Sequence, residues 1–281
     1  MTFDARVCGQ TRGVEGEAEE QVLAGGLGNE GLVVRVGDTV RRPAGPWTPG
    51  VHALLHHLEA VGFDGAPRVI ARDGEVEILS FVPGVVAIPP YPDWSTSEDL
   101  LLSVADLQRR YHDAVAEFRP QPGAIWLDGP APIEYSGSLV CHNDLCLENV
   151  VVSDGHAVGF IDFDFARPVD RVWDIAIALR HWGPMWDAAD LDESRVDLDR
   201  VARCATFLGA HRLTDAESER TIDALIAFGA RALAFVRAQA EAGHTGHRRQ
   251  WDAGYEGKNR RAQEWVIANR VALSSSARGL G

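Results

Sequence analysis

The sequence predicts an α+β fold, with its strands gathered near the N-terminal end and its helices following. Residues 20–84 carry short alternating apolar runs split by Gly and Asp turn signals, the pattern of a small, mostly antiparallel sheet with one helix. After them, apolar residues recur at helical spacing along most of the chain, interrupted by one strand-like stretch between about 139 and 165. The Pro83-Gly84 pair punctuates the change of character. The expected division is therefore a small lobe over residues 1–84 and a larger, mainly helical lobe over 85–281.

Each element has a local reason. Gly25, Gly26, Gly28 and Gly31 precede "LVVRV", a strand by alternation. Gly37-Asp38 marks a turn, and "TVRRP" is a second strand stopped by Pro43. Over residues 49–61, Val51, Leu54, Leu55 and Leu58 fall on one helical face. "PRVIAR" and "EVEILSFV" flank the Asp73-Gly74 turn as another strand pair. Ser97 is a capping residue for a helix over residues 97–118, and the chain from Trp173 onward reads as helices.

The composition narrows the class. The chain has 281 residues, 46% apolar and 24% charged, which is ordinary globular usage. Its formal charge of −14 argues against a nucleic-acid partner, since phosphate binding needs a basic face. The N-terminal stretch lacks a basic patch followed by an apolar core, and no run of about 18 apolar residues occurs; neither a signal peptide nor a membrane span is expected, and the location expected is cytoplasmic. Four cysteines without a C-x-x-C pair do not make a disulfide framework. Cys141, His142 and Cys146 lie close in sequence, but their spacing fits no standard zinc site, and small buried side chains are the better reading. A monomer or a homodimer is expected.

The stretch "CHNDLCLENVVVSDGHAVGFIDFDFA", residues 141–166, carries the chemistry. Its middle is apolar on both faces, a buried strand pair turning at Asp154-Gly155. If Ser153 pairs with His156 and Val152 with Ala157, the register sets Asn149 opposite Phe160 and Asp162 opposite Leu147. Asn149 and Asp162 then share the open end of the hairpin, with Asp144 in the loop entering it. Carboxylates that close repel unless a cation sits between them. Mg²⁺ prefers oxygen ligands, takes few from protein, and completes its shell with phosphate oxygens, which points to nucleotide chemistry. The spacing His142-x-Asp144-x-x-x-x-Asn149 also fits the kinase catalytic loop, in which the Asp orients the attacking hydroxyl and the Asn holds a metal.

"HNDLCLEN", then "IDFDFA", then "WDIA" resembles the aminoglycoside phosphotransferase and choline kinase-like family, relatives of protein kinases. "IDFDFA" and "VRVGDTVRRPAGPW" look most like its trifolitoxin-immunity-like branch. The resemblance spans residues 20–270 and is strongest over 139–182. It implies a bilobal protein-kinase-like fold, with residues 1–84 as the nucleotide-binding lobe and 85–281 as the catalytic and acceptor-binding lobe. The implied activity is Mg²⁺-dependent transfer of the γ-phosphoryl of ATP or GTP to a hydroxyl of a small molecule, an antibiotic first, with choline, a sugar or homoserine as alternatives. A non-catalytic immunity or sequestering protein on the same scaffold is the reading from another class.

Carried over residue by residue, Asp144 is the catalytic Asp and His142 braces the loop. Asn149 and Asp162 hold Mg²⁺, while Asp164 either touches a metal through water or points outward. Asp174 ties the loop to the next helix. "LSFVPG" resembles the interlobe hinge, whose backbone at Ser80 and Val82 would meet a purine edge. Gly26 and Gly28 belong to a loop over the phosphates. Of the third-strand cations Arg41 and Arg42, Arg41 is expected to face inward, counting back from Pro43.

This sequence also departs from the family pattern. Asn143 stands where Gly is usual and Leu147 where Pro is usual. The helix that normally offers a Glu to the third-strand cation shows Val51 and His52, so that ion pair is lost or Glu59 or another acid replaces it.

Other features have ordinary readings. His52, His56 and His57 are expected on a solvated helix face, and the tryptophans in the core. "DAADLDES" reads as a helix start and "RRQWDAGYEGKNRR" as a solvated basic face.

Overall fold

The computed structural model describes residues 20–23, 31–129 and 131–278. Strands β1 (Glu20–Val22), β2 (Val34–Val36) and β3 (Thr39–Pro43) are followed by helix α1 (Thr48–Ala60), then β4 (Val69–Asp73) and β5 (Val76–Ser80). They form one antiparallel sheet in the order β1-β2-β3-β5-β4. As the apolar spacing predicts, α1 buries Val51, Leu54, Leu55 and Leu58.

The rest of the chain is mainly helical. Helix α2 (Glu98–Val115) is capped by the Ser97 hydroxyl, which accepts from the Leu100 amide. Four short strands follow: β6 (Leu139–Cys141), β7 (Val150–Ser153), β8 (His156–Phe160) and β9 (Arg167–Val169), paired as β6 with β9 and β7 with β8. Then come α3 (Arg171–Trp182), α4 (Arg200–Ala210), α5 (Asp215–Glu241), α6 (Thr245–Asp252) and α7 (Tyr255–Arg278). A capping box at Thr214 and Glu217 starts α5. The core of this half forms around α2 and α3, where Leu101, Val104, Tyr111, Trp173 and Trp182 are fully buried. Tyr111 keeps its hydroxyl satisfied by donating to the Val140 carbonyl at 2.8 Å.

The two halves are linked through residues 81–85. Gly84 has φ +146°, and a Cβ there would stand 2.6 Å from Val151 Cγ1 and from the Val152 carbonyl oxygen, so only glycine fits. Immediately after it, Val85 and Val152 exchange backbone bonds of 2.9 and 2.8 Å, fastening the linker to β7. The Phe160 amide of β8 donates to the Gly65 carbonyl at 2.9 Å, a second tie between the hairpin and the sheet-bearing half.

The β7–β8 hairpin turns at Asp154-Gly155 with Ser153 opposite His156 and Val152 opposite Ala157, as the sequence implies. Beyond that the register differs from the simple count. A bulge lets Val151 face Gly159 and Val150 face Phe160, with Val158 the extra residue. Asn149 therefore bonds Ile161, not Phe160; its carbonyl accepts from the Ile161 amide at 3.0 Å. The open end of the hairpin still holds both Asn149 and Asp162.

"DAADLDES" does not start an α-helix. It forms two short 3₁₀ turns, Ala188–Asp190 and Glu193–Arg195, the first capped by the Asp187 side chain, which accepts from the Ala189 amide. Asp190 is bound by Arg261 through two bonds of 2.8 and 2.6 Å, so the basic run of α7 meets this acidic loop instead of facing solvent there. His52 and His57 also leave the solvated face: His52 bonds Glu77, and His57 bonds the Ala114 carbonyl.

Candidate active site

The loop between β6 and β7 is held in place from below. Asn143 adopts φ +63°, a conformation that glycine and asparagine tolerate best, which accounts for Asn where the family pattern has Gly. Its side-chain amide donates to the Cys141 carbonyl at 2.9 Å, and its backbone N–H donates to Asp174 Oδ1 at 2.6 Å. Asp174, fully buried on α3, also accepts at Oδ2 from Gln108 and His112, both at 2.8 Å. Burial alone would raise this carboxyl's pKa, but the bonds from His112, Gln108 and Asn143 outweigh it and hold the group below its usual range. From the other side, the Trp182 indole donates to the Leu145 carbonyl at 3.2 Å.

His142 lies under the loop, fully buried, its ring 4.5 Å from that of Phe163. Burial lowers its pKa and keeps it neutral, so Nε2–H donates to the Ile161 carbonyl at 3.0 Å. Among the described residues its side chain makes no hydrogen bond to Asp144, Asn149 or Asp162. His112, Cys141 and Asp174 bring ligand-type atoms within 4.8 Å of one another. Asp174 is spent on three donors and burial keeps the Cys141 thiol protonated, so this trio is structural support, not a metal centre.

Asp144 reaches the open end of the hairpin. Asn149 Nδ2 donates to its Oδ2 at 2.9 Å and to its backbone carbonyl at 2.8 Å. Burial, with the nearby carboxylates of Asp162 and Glu148, pushes the Asp144 carboxyl well above the usual range. Asn149 thus spends its amide nitrogen on Asp144, and among the described residues no hydrogen bond is made to its Oδ1. Asp162 sits in the left-handed conformation, φ +62° and ψ +65°, strain of the kind that collects at functional sites. Among the described residues its one side-chain partner is Arg42. Hard oxygens from Asn149 and Asp162, with Asp164 beside them, suit Mg²⁺.

Arg42, not Arg41, faces this cluster. Arg41 is exposed, whereas Arg42 is buried and lies opposite Glu77 in the β3–β5 register. The inner face of β3 runs through Val40 and Arg42, because Val40 pairs with the buried Leu79 of β5. Counting back from Pro43 picks the wrong face, since Pro43 lies on the outer one with Arg41. Arg42 Nε donates to Glu77 Oε1 at 2.6 Å, one terminal nitrogen donates to Asp162 at 2.8 Å, and the other binds Asp164. Three carboxylates raise the guanidinium's pKa despite its burial.

The expected helix Glu is replaced by an acid from the sheet. Glu77 is 1% exposed, and its second oxygen binds His52 Nε2 of α1 at 2.7 Å. Burial would raise its pKa, but His52 and Arg42 hold it below the usual range. Glu59 pairs loosely with Arg68 instead.

At the linker, the Ser80 amide donates to the Arg68 carbonyl and the Phe81 amide to the Asp38 carbonyl, both at 2.8 Å. Ser80 therefore has no N–H to offer a purine, and Val82 is left as the hinge amide among the described residues. Gly26 and Gly28 lie outside the described residues. Glu77 and His52 were missed by sequence reasoning. The signal for Glu77 was an acid in cross-strand register with an arginine.

The comparisons with known proteins agree with this geometry. Residues 124–203 match a family model described as "Phosphotransferase enzyme family". The chain is 36% identical over 168 residues to the trifolitoxin immunity protein of Rhizobium leguminosarum bv. trifolii, a match covering 58% of this chain and 61% of that protein. The chain thus spans about three fifths of the length of the curated relative it matches. Among solved structures, it is similar to a choline/ethanolamine kinase family protein from Mesorhizobium loti, with a TM-score of 0.60, 15% identity, and coverage of 98% of this chain and 94% of that one. It is also similar to amicoumacin kinase, solved with AMP-PNP, Ca²⁺ and Ami, with a TM-score of 0.55, 12% identity, and coverage of 81% and 80%. At such identities the likeness shows the fold: a small antiparallel-sheet lobe and a larger helical lobe, arranged as in protein kinases.

Proposed function

From a chain whose residues 124–203 match the phosphotransferase enzyme family, we propose an enzyme that moves the γ-phosphoryl group of ATP or GTP to a hydroxyl of a small molecule, with an antibiotic-like natural product as the acceptor. The observation that carries this reading is the meeting of Asp144, Asn149 and Asp162 at the open end of one hairpin, with Arg42 reaching Asp162 from the sheet. Both the immunity-protein relative and the antibiotic kinase with a like fold support the acceptor class.

In this reading residues 1–84 form the nucleotide lobe and 85–281 the catalytic and acceptor lobe. Val82 meets the purine, and Gly26 and Gly28 are assigned to the phosphates on sequence resemblance alone. Asn149 Oδ1 and Asp162 hold Mg²⁺, which supplies neutralising charge to the phosphate oxygens when bound. Arg42 adds a fixed positive charge beside them. Asp144 accepts the proton of the attacking hydroxyl as its oxygen bonds to the γ-phosphorus and the bond to the β–γ bridging oxygen breaks. The products are a phosphoester and the nucleoside diphosphate. Asn149, by gripping Asp144 at both its side chain and its carbonyl, holds that carboxylate in place.

The test is nucleotide consumption with Mg²⁺ against aminoglycosides, nucleosides, macrolides, peptides, choline and simple sugars, each product weighed by mass spectrometry. One added phosphate on one class supports the enzyme and names its acceptor. Tight binding of an antibiotic with no nucleotide binding would support the second reading, a sequestering immunity protein, which the immunity relative favours.

A further inference from the structure

We propose that Glu77 and His52 are positioning residues that aim Arg42 at the nucleotide phosphates, a strand-borne carboxylate and a helix-borne imidazole together replacing the helix-borne glutamate. This rests on the nucleotide-binding reading above.

The geometry of the grip carries the inference. Glu77 takes Arg42 by Nε, on the shaft side of the guanidinium, at 2.6 Å. Both terminal nitrogens are thereby turned away from the sheet and toward Asp162 and Asp164 of the other lobe. A lysine carries all its donors on one nitrogen at its tip, so it cannot be gripped on the shaft side, as Arg42 is at Nε, while separate nitrogens point outward. Glu77 is itself pinned, with one oxygen on Arg42 and the other on His52 at 2.7 Å, and it is 1% exposed. A carboxylate that buried persists only where both oxygens are satisfied. Of the three carboxylates around Arg42, Glu77 is held from α1 by His52. Among the described residues Asp162 has Arg42 as its one side-chain partner, and it is the one most open to solvent, at 30% of its side chain. The assembly fixes Arg42 from behind and leaves its forward partner exchangeable.

The test is binding of AMP-PNP with Mg²⁺ by calorimetry to wild type and to E77Q, H52A, H52Q, R42K and R42K/E77Q. Loss of one charge-assisted bond predicts about tenfold weaker binding for E77Q. H52A should lose about threefold, and H52Q, whose amide can still donate to Glu77, should regain most of it. In the R42K background E77Q should cost less than about twofold, since the bond it breaks is already gone. Where transfer is measurable, KM for nucleotide should rise more than kcat falls. Wild-type-like binding by a folded E77Q, or the same loss in both backgrounds, overturns the positioning role while leaving the nucleotide reading intact. If E77Q does not fold, the contrast between H52A and H52Q decides, and equal binding by the two overturns the role. Failure of wild type to bind either AMP-PNP or GMP-PNP overturns the nucleotide reading and this role with it.

Discussion

Asp174→Ala should be the most damaging single change that touches no substrate. The side chain receives three buried donors: the Asn143 backbone N–H at 2.6 Å, and Gln108 and His112 at 2.8 Å each. Each donor left unsatisfied costs about 1–3 kcal/mol, so the full range is about 3–9 kcal/mol. Gln108 and His112 can rotate, whereas the Asn143 amide is fixed by its loop, and about 4 kcal/mol is expected. With a urea m-value near 3 kcal/mol/M, the midpoint falls by about 1.3 M. The variant should also lose transfer, because Asn143 immediately precedes Asp144. There is a pH signature as well. The Asp174 carboxyl is held below its unfolded value of 3.8, so its contribution is fully present above that pH and is lost as pH falls through the lower folded value. Asp174→Asn should therefore flatten the loss of stability below about pH 4. Urea unfolding of both variants across pH 3–7 checks this. A destabilisation under about 1 kcal/mol for Asp174→Ala would refute the claim that this residue holds the loop.

Three further outcomes are expected. Asp144→Ala should abolish phosphoryl transfer while nucleotide affinity stays within about threefold, read by product mass and calorimetry, because its proposed role is toward the hydroxyl and not the phosphates. At Asn143, φ +63° and the bond to the Cys141 carbonyl predict that Asn143→Ala loses about 2–3 kcal/mol and Asn143→Gly about 1, read by thermal unfolding. Arg41→Ala should bind nucleotide as wild type does, whereas Arg42→Met should lose at least about tenfold, a contrast that separates the two neighbours by calorimetry.

How far the sequence led can be judged residue by residue. The spacing of His142, Asp144 and Asn149 is local, and local spacing survives folding; so does the Asp154-Gly155 turn. The register beyond that turn did not survive, because the bulge at Val158 is a response to packing between β8 and its surroundings. A Cβ at Gly159 would stand 2.9 Å from Val82 Cγ1, so β8 must pass the linker closely there. Nothing in the run "HAVGF" states that the neighbour is so near. The inner face of β3 was misassigned for a related reason. In "VEILS" the natural alternation puts Val76 and Ile78 inside, yet Glu77 and Leu79 are the buried pair. A buried glutamate breaks the apolar-inside rule, and it can do so only because Arg42 and His52, distant in sequence, come to meet it. Site residues defined by their spacing within the β6–β7 loop, His142, Asp144 and Asn149, were legible. Those defined by partners 25 to 122 positions away were not.

The β7–β8 hairpin has one more consequence. It is bonded to the linker through Val85 and Val152 and to the sheet half through Gly65 and Phe160. It is thus common property of both halves, and Asn149 and Asp162, the proposed metal ligands, flank it. A wide hinge opening would have to break the Gly65–Phe160 bond. The cleft should consequently behave as a nearly fixed slot, with a radius of gyration that barely changes when nucleotide enters. Selection among acceptors then falls to the shape of the slot and the loops at its rim, not to how far the two halves close.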